Sequence, residues 1–384
     1  MKIISFLFIL TTIYCSGNQK KIAMVENTNK CHSPSNASLS PVVFVHGFKG
    51  SELIQNNKTL WLTPSQGLGF SSPDISLKEN DGITAGYPIT KLELLFGLIS
   101  FNIYENWLNS LTENKNIQPY VFTYDWRKDN NTTRDNLLIF LDCIKTNHNG
   151  KSPIVIGHSN GGNLTLSAMN KNPKLLSGAV IVGAPIRGGI GFMEDLIPGV
   201  STGLNNKISG PCVVSTFEPS YTFFPDGEEY ATKDLLLDKE GNSIEIDFFN
   251  SNDWKKFQLG YFHNNSECKN LISEEKFQKI LDRAKIFKNS LKPNPKNQYP
   301  KILLVYAENS PTLRSITGIK SGENWMWNFQ NQKKAPGDGR VTKENAQLPP
   351  GMKHKVKTTK YGHGNLLDDP DIQKAIFDFI KEEG

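Results

Sequence analysis

The run Gly157-His158-Ser159-Asn160-Gly161-Gly162 sets a serine between glycines in the pattern G-x-S-x-G. A serine hydroxyl is a poor nucleophile unless a base removes its proton and an acid orients that base. The pattern alone is weak, and its context is what makes it specific. It follows the buried-type run PIVIG over 153–157 and opens a helix through 163–170, so the serine falls on a sharp strand-to-helix turn. Side chains at the flanking glycines would collide with that strand and helix. The helix N-terminus faces any negative charge that develops on a bound group. The plainer reading is a glycine-rich turn with an ordinary helix-capping serine.

On a sheet carrying such an elbow, the acid and then the histidine follow the serine in the chain. Histidines 263, 354 and 363 lie after Ser159. His363, in Tyr361-Gly362-His363-Gly364, falls just past the last strand and before the last helix, where it can reach the elbow. His354 sits between lysines in a polar stretch, and His263 falls in an insertion. The candidate acid is Asp338, in Gly337-Asp338-Gly339-Arg340-Val341, where glycines let a loop present a carboxylate. Glu308, just after the run KILLVY, is the rival, and Asp-Gly is also an ordinary turn pair. Acyl transfer further needs two N–H groups for the oxyanion. Asn160 supplies one, and Phe48, in His46-Gly47-Phe48-Lys49-Gly50 after the first strand, supplies the other.

The elements that must position these residues alternate. Strands are expected over 41–46, 118–124, 153–157, 179–182, 301–306 and 356–360, and helices over 133–147, 163–170 and 371–381. That rhythm argues for an α/β fold, a mostly parallel sheet with helices on both faces. The rhythm breaks twice. Residues about 50–100 form an early insertion, irregular over 50–86. Residues about 186–296 are long, aromatic and turn-rich, and read as an inserted cap.

Composition excludes several classes. The chain has 384 residues, 38% of them hydrophobic, enough for a large core. Its net charge of +5 is spread along the chain with no basic stripe, which argues against nucleic acid as a partner. Residues 1–17 read as an export signal: Lys2, an apolar stretch over 3–14, then Cys15-Ser16-Gly17. Lipoprotein processing at Cys15 is the second reading. An arm over 18–40 leads into the main domain, 41–384. Both readings of the signal place the chain outside the cell or in the periplasm. Four cysteines then remain, which allows two disulfides in three connectivities or four free thiols. Cys31–Cys143 and Cys212–Cys268 are favoured because each pair links neighbouring parts of this fold.

These residues carry a family resemblance. The chain resembles the lecithin:cholesterol acyltransferase-like family of α/β-hydrolases, which includes lysosomal phospholipases and diacylglycerol acyltransferases. VHGFKGSEL looks like its oxyanion loop, Leu60-Trp61-Leu62 like its early tryptophan segment, and Tyr124-Asp125-Trp126-Arg127 like its YDWR motif. GHSNGG, GAPIRGG, STFEPSYTFFP, GDGRV and Tyr361-Gly362-His363-Gly364 follow in the family's order. There are departures: His-Gly-Phe in the oxyanion loop, Asn160 where an apolar residue is common, and no cysteine pair around Trp61.

The resemblance implies long-chain lipid esters as acyl donors. Trp61, Phe192, Phe223 and Phe224, with the apolar run 94–99, are then candidates to line an acyl track or touch a lipid surface; otherwise they pack the core and the cap. The expected enzyme is a serine hydrolase or acyltransferase with Ser159, His363 and Asp338 in the catalytic roles, no metal or organic cofactor, and transient contact with a membrane. Alternatives are a triad esterase or thioesterase for non-lipid substrates, and a non-catalytic lipid carrier on a hydrolase scaffold.

Overall fold

The structure, a computed structural model, describes residues 31–94, 99–227, 233–263, 268, 271–330 and 332–384. The expected export segment with Cys15, the arm over 18–30 and positions 95–98 of the apolar run lie outside the described residues.

Six strands form one fully parallel sheet: β1 (Ser40–Val45), β2 (Ile117–Phe122), β3 (Ile154–His158), β4 (Gly178–Val182), β5 (Lys301–Ala307) and β6 (Lys355–Thr359). Their spatial order is β2-β1-β3-β4-β5-β6. Five longer helices accompany them: α1 (Glu105–Glu113), α2 (Asn130–Asn147), α3 (Asn160–Lys171), α4 (Glu274–Ser290) and α5 (Pro370–Glu383).

The β-branched runs follow from burial on both faces. Val43 and Val45 of β1 face a core that includes Leu137 of α2 and Leu164 of α3. Val42 and Phe44 face the other side, against Trp107 of α1 and Ile376 of α5. All four β1 residues are fully buried. α2 starts at Asn130, earlier than expected, because Asp129 accepts the N–H groups of Asn131 and Thr132.

β1 has β2 on one side and β3 on the other, so the chain reverses its direction of travel across the sheet there. Loops leaving the carboxyl ends of such neighbours diverge and leave a crevice. The loop after β1 and the elbow after β3 flank this crevice.

Three stretches depart from the expectation. The early insertion, expected to be irregular over 50–86, contains an antiparallel three-stranded sheet, Ser51–Gln55, Lys58–Trp61 and Thr84–Pro88. Within 186–296, α4 carries a stripe of Phe277, Ile280, Leu281, Ala284 and Phe287 at helical spacing. It packs on the sheet-covering helices: Asn131 donates to Arg283 O at 3.0 Å and Asn170 to Ser290 O at 2.9 Å. This helix is therefore the crossover into β5 rather than cap. Beyond β5, two hairpins intervene before Asp338, pairing Ser310–Leu313 with Lys334–Gly337 and Ile316–Ser321 with Asn324–Asn328.

The cysteines pair as Cys31–Cys143 and Cys212–Cys268, with Cα atoms 5.9 and 5.0 Å apart. The first ties the segment before β1 to α2. Arg127 is fully buried and structural. It grips Asp125 with two nitrogens at 2.9 and 2.6 Å, Asp81 at 2.9 Å and Ile75 O at 3.1 Å. A buried charge stripped of its partner costs about 3–5 kcal/mol, so the two carboxylates and the arginine stand or fall together. Among the described residues, no helix is long and apolar enough to cross a membrane.

Candidate active site

Ser159 joins β3 to α3 with φ 54° and ψ −121°, a left-handed backbone for a residue that has a Cβ. Such a conformation costs on the order of 1–3 kcal/mol and persists only where packing over-determines it. The packing is visible at the glycines around it. A Cβ on Gly157 would strike Gly161 O, and one on Gly161 would strike Val45 O at the end of β1. The turn therefore presses against both the helix it opens and the neighbouring strand.

Ser159 Oγ lies 3.0 Å from His363 Nε2, and His363 Nδ1 lies 2.7 Å from Asp338 Oδ2. His363 begins a 3₁₀ turn just after β6, and Asp338 is reached through the two hairpins after β5. The far oxygen of Asp338, Oδ1, accepts the N–H groups of Arg340 and Val341 at 2.8 and 2.7 Å. Burial alone would raise the Asp338 carboxyl, but the His363 charge, its hydrogen bond and these two N–H donors outweigh burial and hold it below the usual range. An ionised Asp338 fixes the proton of His363 on Nδ1 and leaves Nε2 free to accept from Ser159. Glu308 pairs instead with Lys343 at 2.5 Å. His354 and His263 donate to Met352 O and Gln258 O.

The loop after β1 lies against the elbow: a Cβ on Gly47 would stand 2.9 Å from Ser159 Cβ. Its backbone is held at almost every point. Tyr104 Oη accepts Gly47 N–H, while His46 Nδ1–H and Gly50 N–H both donate to Gly47 O. Trp61 Nε1–H donates to Lys49 O at 3.2 Å. Phe48 N–H and Asn160 N–H make no hydrogen bond among the described residues, which leaves two unpaired donors beside Ser159. The side chain of Asn160 is fully buried and forms a reciprocal amide pair with Asn130 at 2.9 and 3.1 Å. That pairing, which ties the elbow to the start of α2, is the physical reason for a polar residue at this position.

A cavity of about 410 Å³ opens over Ser159 and His363. Trp61, Phe192 and Phe223 line it, together with Phe48, Leu62 and Ile103. The rings of Phe48, Phe192 and Phe223 form one cluster, with centroids 4.7–5.6 Å apart. Phe224 is the exception among the expected track residues. It is fully buried, stacks on Phe248 at 4.7 Å and meets Trp254 edge-on, away from the cavity. Successive residues of this turn point to opposite sides, so only Phe223 faces the crevice.

The cavity wall also carries charge. Asp195 pairs with Arg340 and, at 3.5 Å, with Lys49. Burial pushes the Lys49 ammonium down, partly offset by Asp195. Gly183, just after β4, has φ 57° and sits beneath the Asp338–His363 pair: a Cβ there would strike Leu366 and stand 3.4 Å from Asp338 Oδ2. A glycine at the end of a buried strand was the available signal for it. Asp195 had none.

Two buried histidines make stability depend on pH. Burial holds His46 at about 4 and His158 at about 3, against 6.5 for an ordinary histidine. As pH falls below 6.5, the unfolded chain gains a proton at each position and the folded chain does not. Stability is therefore lost on going down in pH, by on the order of 1.4 kcal/mol per pH unit for each histidine. Thermal unfolding followed from neutral pH down to about 4 is expected to show a melting temperature that drops by several degrees per unit. A flat melting temperature across that window would contradict neutral, buried imidazoles.

The family model for lecithin:cholesterol acyltransferase matches residues 53–312. The uncharacterized protein YJR098C of Saccharomyces cerevisiae is 23% identical over 89% of this chain. The chain spans 62% of the length of that curated relative. Among solved structures, the lipase BlEst2 of Bacillus licheniformis in mature form is similar at 15% identity and TM-score 0.37, over 92% of this chain and 96% of that one. MenH from S. aureus is similar at 16% identity and TM-score 0.35, over 92% and 97%.

Proposed function

Because the chain belongs to the lecithin:cholesterol acyltransferase family, we propose that it is an exported serine hydrolase or acyltransferase that cleaves long-chain lipid esters through an acyl-enzyme. The single observation that carries this reading is the hydrogen-bonded series Ser159, His363 and Asp338 at the base of an apolar cavity.

Ser159 Oγ attacks the ester carbonyl as its proton passes to His363 Nε2. Phe48 N–H and Asn160 N–H hold the oxyanion. Asp338 stabilises the imidazolium. As the tetrahedral adduct collapses, the C–O bond to the alcohol breaks and His363 returns the proton to the leaving oxygen. Water or a lipid alcohol then attacks the acyl-serine and gives its proton to His363. Release of a fatty acid or a new ester restores the proton to Ser159.

The lipid assignment draws on the aromatic cavity and on its rim. Val200 and Phe101 line the cavity while remaining exposed, and Leu204, next to the lining residue Gly203, is 67% exposed. Apolar residues left in water around a concave site mark a place where something apolar docks. Export is supported by the two disulfides, which persist in oxidising compartments.

The test is a rate series on p-nitrophenyl esters of rising acyl length beside fatty-acid release from phospholipid vesicles. Rates should climb with chain length, and vesicles should release acid. Flat rates beyond short chains with no release would point to a non-lipid ester or thioester. Product analysis with and without a lipid alcohol in the vesicles distinguishes hydrolysis from acyl transfer.

A further inference from the structure

We propose that Tyr104 and His158 are positioning residues that lock the oxyanion loop, the elbow and the base loop into one rigid unit. This role rests on the hydrolase reading of Ser159 given above.

The directions of the hydrogen bonds are fixed by elimination. His363 O is a carbonyl and can only accept, so His158 Nε2, 2.9 Å away, carries the proton. His158 is neutral because burial disfavours its charged form, so Nδ1 is bare and accepts. Its partner at 2.7 Å is Tyr104 Oη, whose one proton must point at it. The lone pairs of that oxygen then take Gly47 N–H at 3.0 Å. The result is a one-way series from Gly47 through Tyr104 and His158 to His363. No donor or acceptor in it has a spare choice.

The series joins four separate stretches of chain. Gly47 precedes Phe48, whose N–H is one of the two free donors. His158 precedes Ser159. His363 has its backbone held at both ends, its N–H by Asp338 O at 2.9 Å and its C=O by His158. Tyr104 and His158 are 3% and 5% exposed, so water cannot replace a lost partner cheaply. Tyr104 itself is anchored edge-on against Phe44 of β1, centroids 5.1 Å apart. Neither residue touches the cavity, so neither should affect substrate binding.

Misplacing a reacting group by about 1 Å can cost on the order of 100-fold in rate. Tyr104→Phe keeps the ring and deletes the series at its centre, leaving Gly47 N–H and His158 Nδ1 without partners. The expected result is a kcat on a short p-nitrophenyl ester lowered by about 10- to 100-fold with KM within about twofold. The rate of fluorophosphonate inactivation should fall in parallel, since that reaction uses the same serine, base and oxyanion donors. His158→Gln, which can still donate to His363 O, should lose less than His158→Phe, which cannot. These variants keep the inference open to refutation if Tyr104→Phe does not fold. A kcat and an inactivation rate equal to wild type in folded Tyr104→Phe, or His158→Gln and His158→Phe matching each other, would overturn the positioning role. Failure of the wild-type protein to react with the fluorophosphonate would instead overturn the hydrolase reading itself, and this inference with it.

Discussion

Ser159→Ala is expected to lower kcat on ester substrates by about 10⁶-fold and to abolish fluorophosphonate labelling, with the fold intact. The size follows from the loss of the nucleophile, because among the described residues no other hydroxyl bonds to His363 Nε2. The variant should fold because the Ser159 side chain makes no capping bond to α3. Alanine inherits the same left-handed backbone at similar cost. The elbow's shape comes from contacts at Gly157 and Gly161, which the substitution leaves alone. Labelling by an alkyl fluorophosphonate, detected by mass spectrometry and read beside the melting temperature, decides the matter. Retained labelling in folded Ser159→Ala would remove this serine from the mechanism.

Asp338→Asn should cost about 10⁴-fold in kcat with little change in KM. The reason lies on the far side of the carboxylate. Asp338 Oδ1 accepts from Arg340 N–H and Val341 N–H, so an asparagine must keep its carbonyl oxygen there. An amide NH₂ in that place would face two donors. The NH₂ is then forced toward His363 Nδ1, which must give up its proton and accept. The imidazole proton moves to Nε2, facing Ser159, and the base can no longer take the serine's proton. Asp338→Ala leaves the imidazole free to choose its tautomer and should lose a similar factor without this specific block. Comparing the two by steady-state kinetics, with proton NMR of the His363 ring, separates a tautomer effect from simple loss of charge. Full activity in Asp338→Asn would mean that another group orients the base.

Much of this architecture was legible because the signals are local. β1, β3, β4 and β5 are short apolar runs rich in β-branched residues, since both faces of the sheet are covered there, whereas the edge strand β6 is largely exposed. α2 and α5 appear in the sequence as apolar residues at helical spacing, α3 follows from the elbow it continues, and α4 carries the same stripe among the aromatic turns around it. The antiparallel sheet of the early insertion was not legible: its strands are only four or five residues long with no sustained apolar run, and Thr84–Pro88 pairs with Ser51–Gln55 some 30 positions away. The same applies to the hairpins after β5, which carry Asp338 to the sheet edge.

At the site, the division runs through neighbouring residues. Phe223 and Phe224 are adjacent and chemically identical, yet one lines the cavity and the other sits in the core of the insertion. Arg127, buried against Asp125 and Asp81, is a strut rather than a substrate contact.

What the sequence determined by itself was the chemistry on offer and the sheet that bears it: an elbow serine, a histidine past the last strand, an acid loop between glycines, and runs of apolar residues that can only be buried strands. What tertiary structure alone decided was which polar groups meet. Tyr104, Gly47, His158 and His363 come from four distant stretches, and nothing in their spacing foretells that three hydrogen bonds run in one direction along them. Periodicity records which face of an element avoids water. The pairing of buried donors with acceptors depends instead on how elements dock, and that is fixed only when the chain has folded.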